Sequence, residues 1–218
     1  MYNNQKEVIE VCQLWHGNAL IAKAATLDNY LQKMSDYQII HFSTHGIINN
    51  ENPALSKLTF SKGKTTSDKR LLPINEIQMQ PMSADLVVLS ACQTANGQLA
   101  RGEGLMSIGQ AFFAAGAKSI IATLWNAEDS ETPILMRQFY QYLKDGRTKS
   151  AALQHAKLDY IENAGAYQAH PYYWAGFIGI GNNDSLENVV TPSYYWYLIL
   201  GLGLFFISFM VYSKYKLV

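Results

Sequence analysis

The sequence has little cysteine and no excess charge of either sign. Two of its 218 residues are cysteine, Cys12 and Cys92, too few for a disulfide framework and without the paired spacing of a zinc site. Seventeen basic residues balance seventeen acidic ones, and no segment gathers enough Lys or Arg to neutralise a run of phosphates. These shortages argue against a disulfide-rich scaffold, a metal centre and a nucleic-acid partner.

No signal peptide is readable at the amino terminus. Residues 1–6 are polar, and no basic cluster is followed there by an apolar run. The 218 residues are 49% hydrophobic, which suits one globular domain together with one strongly apolar segment. We therefore expect a single domain.

The strongly apolar segment is Tyr194–Tyr212, which carries no charged residue. At about 1.5 Å per residue it nearly spans a hydrocarbon core of about 30 Å, and aromatic side chains at both ends suit the bilayer interfaces. It predicts one transmembrane helix, with a buried core helix as the alternative. One such segment predicts a single-pass membrane protein. Lys214 and Lys216 follow it, and the positive-inside tendency predicts a cytoplasmic tail and an extracytoplasmic globular domain.

Upstream of this segment, apolar β-rich runs alternate with helical patterns. Strands are predicted over Gln38–Thr44, Asp85–Cys92, Ser119–Trp125 and Trp174–Ile180. Helices are predicted over Ala19–Gln32, Leu105–Ala115, Pro133–Lys144 and Ser150–Asn163. Continuous apolar strands separated by helices predict an α/β fold, a three-layer α/β/α sandwich with a mostly parallel sheet.

The stretch between the first two strands, Gly46 to Ala84, is too long for a plain crossover. It contains the polar segment Ser61–Arg70. We expect a mobile excursion there, with a hairpin as one form that it can take.

Two predicted strands end on reactive side chains. Ligands of open parallel sheets bind beyond the carboxyl ends of the strands. The first strand runs into His45 and Gly46, and the second runs into Cys92. A neighbouring imidazole can take the proton of a thiol or stabilise the thiolate, so His45 and Cys92 form a candidate nucleophilic dyad. A buried, inert cysteine is the alternative.

Five ordered blocks carry a resemblance to a known family. They are Ile39–Gly46 (IIHFSTHG), Ala84–Gly97 (ADLVVLSACQTANG), Glu103–Thr132, Phe139–Gly146 and His170–Gly181 (HPYYWAGFIGIG). From about Gly17 to Gly181 the chain resembles the CHAT family, caspase-like domains related to caspases, separases and gingipains and often fused to tetratricopeptide repeats. The resemblance implies a caspase-like fold and cysteine peptidase activity.

The resemblance also implies roles for particular residues. His45 corresponds to the general base and Cys92 to the nucleophile, while the backbone N–H groups of Gly46 and Cys92 correspond to the oxyanion donors. The implied partners are a protein or peptide substrate and a tetratricopeptide-repeat region upstream or in trans. No metal or organic cofactor enters this chemistry.

Three residues are candidates for the substrate pocket: Glu103, Trp125 and Asp129. In the alternative reading, Glu103 interacts with the dipole of the following helix, and Asp129 or a neighbouring hydroxyl residue caps the helix that begins near Pro133. His41 matches no motif, and Cys12 is expected to be a plain helix or core residue.

The predicted organisation has five parts: a lead-in over 1–16, a CHAT domain over 17–182, a linker over 183–193, the transmembrane helix over 194–212 and a short basic tail over 213–218. The predicted function is a membrane-anchored, caspase-like cysteine endopeptidase. The alternative is a catalytically silent CHAT-type scaffold or signalling module at the membrane. Nucleotide binding is disfavoured because Leu58 stands where a phosphate loop ending in Gly63-Lys64-Thr65 would need glycine.

Overall fold

A computed structural model describes residues 2–49, 51–63, 70–90, 102–125 and 130–186. The predicted transmembrane helix, the basic tail and most of the linker lie outside these described residues, as do Cys92 and Asp129. Within the described ranges, no helix has both the length and the apolar character needed to cross a bilayer.

The helices and strands alternate along the described chain. The α-helices are α1 (Tyr2–Trp15), α2 (Leu27–Lys33), α3 (Ile74–Gln78), α4 (Gly102–Ala115), α5 (Thr132–Lys144) and α6 (Lys149–Asn163). The strands are β1 (Ile39–Phe42), β2 (Gly46–Ile47), β3 (Lys57–Thr59), β4 (Leu71–Pro73), β5 (Leu86–Leu89), β6 (Ser119–Thr123) and β7 (Phe177–Gly181). Short 3₁₀ turns occupy Ala22–Ala24, Met34–Asp36, Pro53–Leu55 and Pro171–Tyr173.

The central sheet has the strand order β1-β5-β6-β7. Strand β5 pairs in parallel with both β1 and β6, and β7 runs antiparallel to β6. Every residue of β5 and β6 is buried, as expected for strands covered by helices on both faces. The prediction of an α/β fold with a mostly parallel sheet is confirmed.

Two hydrophobic clusters lie on opposite faces of this sheet. One joins the sheet to α2, α3 and α4 through residues such as Tyr30, Ile77 and Phe112. The other joins it to α1, α5 and α6 through residues such as Val11 and Phe139. The described chain is thus a three-layer α/β/α arrangement, and α1, in the segment predicted as a lead-in, packs within one of the outer layers.

The predicted helix over Ala19–Gln32 is wrong in its first half. A 3₁₀ turn stands at Ala22–Ala24, and α2 begins at Leu27. Thr26 has an extended backbone, and its hydroxyl accepts a hydrogen bond from the N–H of Asn29 at 3.2 Å. A threonine cap of this kind starts a helix locally, whatever apolar spacing precedes it.

The excursion between β1 and β5 is larger than a hairpin. Strands β2, β3 and β4 form a separate antiparallel sheet, and α3 follows them. Leu58 and Leu72 face each other in register, and both are buried in the same cluster as α4. The excursion therefore has a core contact of its own, while residues 64–69 of its polar segment lie outside the described ranges.

Candidate active site

The carboxyl ends of β1 and β5 lie side by side. Phe42 pairs with Leu89, and the N–H of Ser90 donates to the carbonyl of Phe42 at 3.0 Å. His45 and Cys92 each follow this registered pair by three residues in the sequence. The two strands that precede them are parallel neighbours, so both strands end at the same side of the sheet. Cys92 itself is outside the described residues.

The backbone at His45 is attached to β3 through Thr59. The carbonyl of His45 accepts the N–H of Thr59 at 3.0 Å and the Thr59 hydroxyl at 2.6 Å. In return, the hydroxyl of Thr44 donates to the carbonyl of Thr59 at 2.7 Å. These three hydrogen bonds fix the backbone that presents the half-buried His45 side chain.

Gly46 is buried and begins β2. Because the His45 carbonyl and the Thr59 N–H are bonded, the next pair in the ladder, Gly46 with Leu58, is a non-hydrogen-bonded pair. The N–H of Gly46 therefore points away from β3. This is the backbone amide that the family resemblance implies as a donor to the oxyanion.

A buried carboxylate lies beneath the end of β1. Glu7, on α1, is 2% exposed, and its Oε2 accepts the hydroxyl of Ser43 at 2.8 Å. Its Oε1 lies 3.1 Å from Nε2 of His41 on β1. Among the described groups, this Oε1 has no partner with ordinary hydrogen-bond geometry, so we treat its approach to His41 as an electrostatic contact.

The ring of His41 connects this carboxylate to two further hydroxyl groups. Nδ1 lies 3.0 Å from the hydroxyl of Tyr140 on α5, and Nε2 lies 3.2 Å from the hydroxyl of Ser90. Burial, and then the charge of Glu7, raise the pKa of Tyr140, so its phenol stays protonated and can donate to Nδ1.

Sequence reasoning missed this cluster of Glu7, His41, Ser43, Ser90 and Tyr140. His41 matched no motif, and Glu7 lay in the segment predicted as a lead-in. One signal was present: a histidine inside an otherwise apolar strand run, where a buried polar ring needs partners. Nothing in the sequence pointed to Glu7 as one of those partners.

Of the three pocket candidates, the structure describes the side chain of Trp125. Its indole Nε1 donates to the carbonyl of Tyr172 at 2.8 Å, and the ring packs against Gly176. The hydroxyl of Thr123 also donates to the carbonyl of Trp125. Trp125 thus lies two residues beyond the carboxyl end of β6, against the segment that leads into β7.

Glu103 lies in the first turn of α4, but its side chain is outside the described part of the chain, and Asp129 lies outside it entirely. The capping alternative for a hydroxyl residue near Pro133 is wrong. In the described residues α5 follows Glu131, whose side chain makes no capping hydrogen bond and instead accepts the hydroxyl of Tyr160 at 2.9 Å. The side chain of Glu131 is therefore held by Tyr160 on α6 and not by the first turn of α5.

Cys12 lies on α1 and is half-buried, in agreement with its prediction as a plain helix residue. Burial raises the pKa of the Cys12 thiol above its ordinary value. In the described ranges, no group of three or more His, Cys, Asp or Glu side chains could hold a metal ion.

A family model of the CHAT domain matches residues 3–182. The chain belongs to the CHAT domain family. This match includes α1 and extends through β7, so the CHAT domain contains Glu7 as well as the segments that carry His45 and Cys92. CHAT domains belong to the caspase-like peptidase clan.

Two curated relatives are similar to this chain over most of its length. Tetratricopeptide repeat protein 28 of Mus musculus is 28% identical over 86% of this chain, and its counterpart from Homo sapiens is 26% identical over 86%. The chain spans 9% of the length of each of these relatives. Association of this type of CHAT domain with tetratricopeptide-repeat proteins agrees with the resemblance seen in the sequence.

Proposed function

We propose that this CHAT domain is a cysteine endopeptidase with Cys92 as nucleophile and His45 as general base. The main support is the pairing of β1 with β5. Phe42 and Leu89 are in register at the ends of these parallel strands, and His45 and Cys92 each follow three residues later in the sequence. Reacting groups carried at the same edge of a parallel sheet can share one cleft.

In the proposed reaction, His45 accepts the thiol proton and the sulfur of Cys92 forms a bond to the scissile carbonyl carbon. The carbonyl oxygen becomes an oxyanion that accepts hydrogen bonds from the N–H groups of Gly46 and Cys92. When the carbon–nitrogen bond breaks, His45 gives its proton to the leaving amine. A water molecule, deprotonated by His45, then hydrolyses the thioester and restores the thiol.

Substrate selection in this proposal involves Trp125, with Glu103 and Asp129 as acidic candidates for a basic side chain. The support for Trp125 is its fixed position beyond β6, which neighbours the strand leading to Cys92. An indole held by one hydrogen bond and a glycine contact offers a rigid apolar wall to a peptide.

The proposal includes attachment to a membrane through residues 194–212. Its support is the uncharged, aromatic-flanked sequence. The full chain should stay with membranes after carbonate extraction, and a variant lacking residues 194–218 should be released. Protease protection of the globular domain in sealed vesicles would support its extracytoplasmic placement, whereas release of the full chain by carbonate would contradict the anchor.

A second candidate function is a silent scaffold that binds a tetratricopeptide-repeat region. Its support is the name of the two relatives, which are tetratricopeptide repeat proteins. The scaffold candidate predicts that Cys92→Ala binds such a region as tightly as wild type and that neither protein cleaves peptides. Calorimetric titration of the full chain with a repeat segment measures the first of these properties.

The peptidase proposal is tested with a proteome-derived peptide library. The full chain, Cys92→Ala and His45→Ala are incubated with it, and new amino termini are identified by mass spectrometry. Cleavage by wild type at a shared sequence pattern, absent from both variants, is the expected result. Equal cleavage by all three proteins would show that a contaminating peptidase is present. If folded wild type, joined to a repeat segment, cleaved no peptide of the library, the proposal would be overturned.

A further inference from the structure

Glu7 occupies a position where a carboxylate is costly. An ionised side chain that is 2% exposed loses its hydration, and apolar replacement of such groups is often neutral or stabilising. Glu10, on the same helix, is a contrasting case, because its carboxylate is partly exposed and pairs with Lys6 at 3.8 Å. The burial of Glu7 therefore indicates a role beyond packing.

The contacts of Glu7 reach both strands that lead to the candidate dyad. On the β1 side, its Oε2 holds the hydroxyl of Ser43, which stands two residues before His45. On the β5 side, its Oε1 faces the His41 Nε2 that also meets the hydroxyl of Ser90, two residues before Cys92. One side chain from a helix thus contacts one strand end directly and the other through an imidazole.

The His41 ring is itself held in place from the opposite side. Tyr140 on α5 meets Nδ1 at 3.0 Å, and its phenol is buried. With that nitrogen occupied, rotation of the ring would separate Nε2 from both Glu7 and Ser90. In this arrangement the ring contacts Tyr140 through one nitrogen and both Glu7 and Ser90 through the other, and these contacts connect the ends of the two strands.

We propose that Glu7 is a positioning residue that holds the end segments of β1 and β5, which lead to His45 and Cys92 in the sequence, at a fixed separation, acting through Ser43, His41 and Ser90. This inference rests on the proposed function, because it gives the spacing of those segments a catalytic meaning. Glu7 touches no substrate in this proposal. Its effect is on how often the imidazole and the thiol are in reach of each other.

The test compares Glu7→Gln with Glu10→Gln in the full chain, because both remove one charge from α1. The rate of Cys92 alkylation is measured against pH, and amide hydrogen exchange is followed over residues 43–46 in the same proteins. We expect Glu7→Gln to slow Cys92 alkylation below pH 7 by about tenfold to a hundredfold, as for small misplacements of reacting groups. Exchange at 43–46 should become faster, while Glu10→Gln should match wild type in both measurements.

A second matched pair covers the case in which Glu7→Gln does not fold. Ser90 and Ser119 are both buried, and each hydroxyl hydrogen-bonds across to a neighbouring strand or side chain, but Ser119 lies at the amino end of β6. Ser90→Ala should alter the pH profile of Cys92. Ser119→Ala should leave the pH profile of Cys92 unchanged, even if it lowers the stability of the domain as much as Ser90→Ala does.

The two proposals fail in different ways. If wild-type Cys92 shows no His45-dependent reactivity, the dyad is wrong, and the exchange measurement alone decides whether Glu7 holds the strand end. If wild type does show that reactivity and Glu7→Gln retains both the wild-type pH profile and the wild-type exchange at 43–46, Glu7 has no positioning role.

Discussion

Thr59 donates both its backbone N–H and its hydroxyl to the carbonyl oxygen of His45, at 3.0 and 2.6 Å. Replacement by valine keeps the shape and the N–H but removes the hydroxyl. We expect Thr59→Val to cost about 0.5–1.5 kcal/mol of stability, the usual net value of one hydrogen bond. We also expect slower alkylation of Cys92 below pH 7, because the His45 backbone is less firmly held.

Thr59→Ser is the matched control for this change. It restores the hydroxyl without the methyl group, so it should recover most of the alkylation rate even if the packing of β3 is weakened. Chemical denaturation and mass-spectrometric labelling are measured on the same samples. Equal rates for valine, serine and wild type would show that the hydroxyl does not position His45.

Gly176 provides a test of the Trp125 geometry. A Cβ at this position would lie 2.8 Å from Cε2 of the Trp125 indole, closer than any relaxed contact. We expect Gly176→Ala to destabilise the domain by about 1–3 kcal/mol through overpacking, and to change tryptophan emission as the bond to Tyr172 is disturbed.

Gly109→Ala is the control for that substitution. It lies within α4, and its added Cβ would meet Ile120 at 3.5 Å, an ordinary contact. Alanine should leave stability unchanged or raise it by up to about 1 kcal/mol, since glycine is unfavourable inside a helix. Similar losses for both variants in urea unfolding would argue against the close packing of Trp125.

The buried phenols predict how stability responds to alkaline pH. Burial raises the pKa of Tyr30 and of Tyr140 above the ordinary value near 10. Below that value both states keep these protons, so the phenols add no pH dependence. Above it the unfolded chain releases protons that the folded domain retains, so the free energy of unfolding falls by up to about 1.4 kcal/mol per pH unit for each phenol.

Urea unfolding at several values above about pH 10 measures this slope. Tyr30→Phe removes one phenol and should make the slope shallower. Phe42→Leu serves as control, since Phe42 packs on the Tyr30 ring with centroids 5.2 Å apart but carries no titrating group. It should lower stability at every pH with the slope unchanged, and an unchanged slope in Tyr30→Phe would contradict the prediction.

Much of the fold could be predicted from the sequence because its strands are short continuous apolar runs. Strands β5 and β6 are buried throughout, and such runs between helices identify a parallel sheet. The small sheet β2-β3-β4 was not predicted in full, because two- and three-residue strands carry too little periodicity to be recognised. Similarly, the cap at Thr26 interrupts an apolar spacing that otherwise suggests one longer helix.

The candidate site could be predicted only where a reactive side chain directly follows a strand. That rule finds His45, whereas Glu7 and Thr59 depend on contacts between segments far apart in the chain. Glu7 reaches Ser43 across 36 positions, and Thr59 reaches His45 across 14. Such contacts arise from the packing of α1 and of the small sheet, which no local pattern specifies.

The central claim, that His45 activates Cys92, is tested most directly by alkylation of the two cysteines as a function of pH. The full chain is compared with His45→Ala, and Cys12 is the internal reference because burial raises the pKa of its thiol. A His45-activated thiolate predicts rapid labelling of Cys92 below about pH 7 in wild type, lost in the variant, with Cys12 slow in both. If Cys92 were labelled as slowly as Cys12 at each pH, and at the same rate in wild type and in His45→Ala, the dyad would be contradicted.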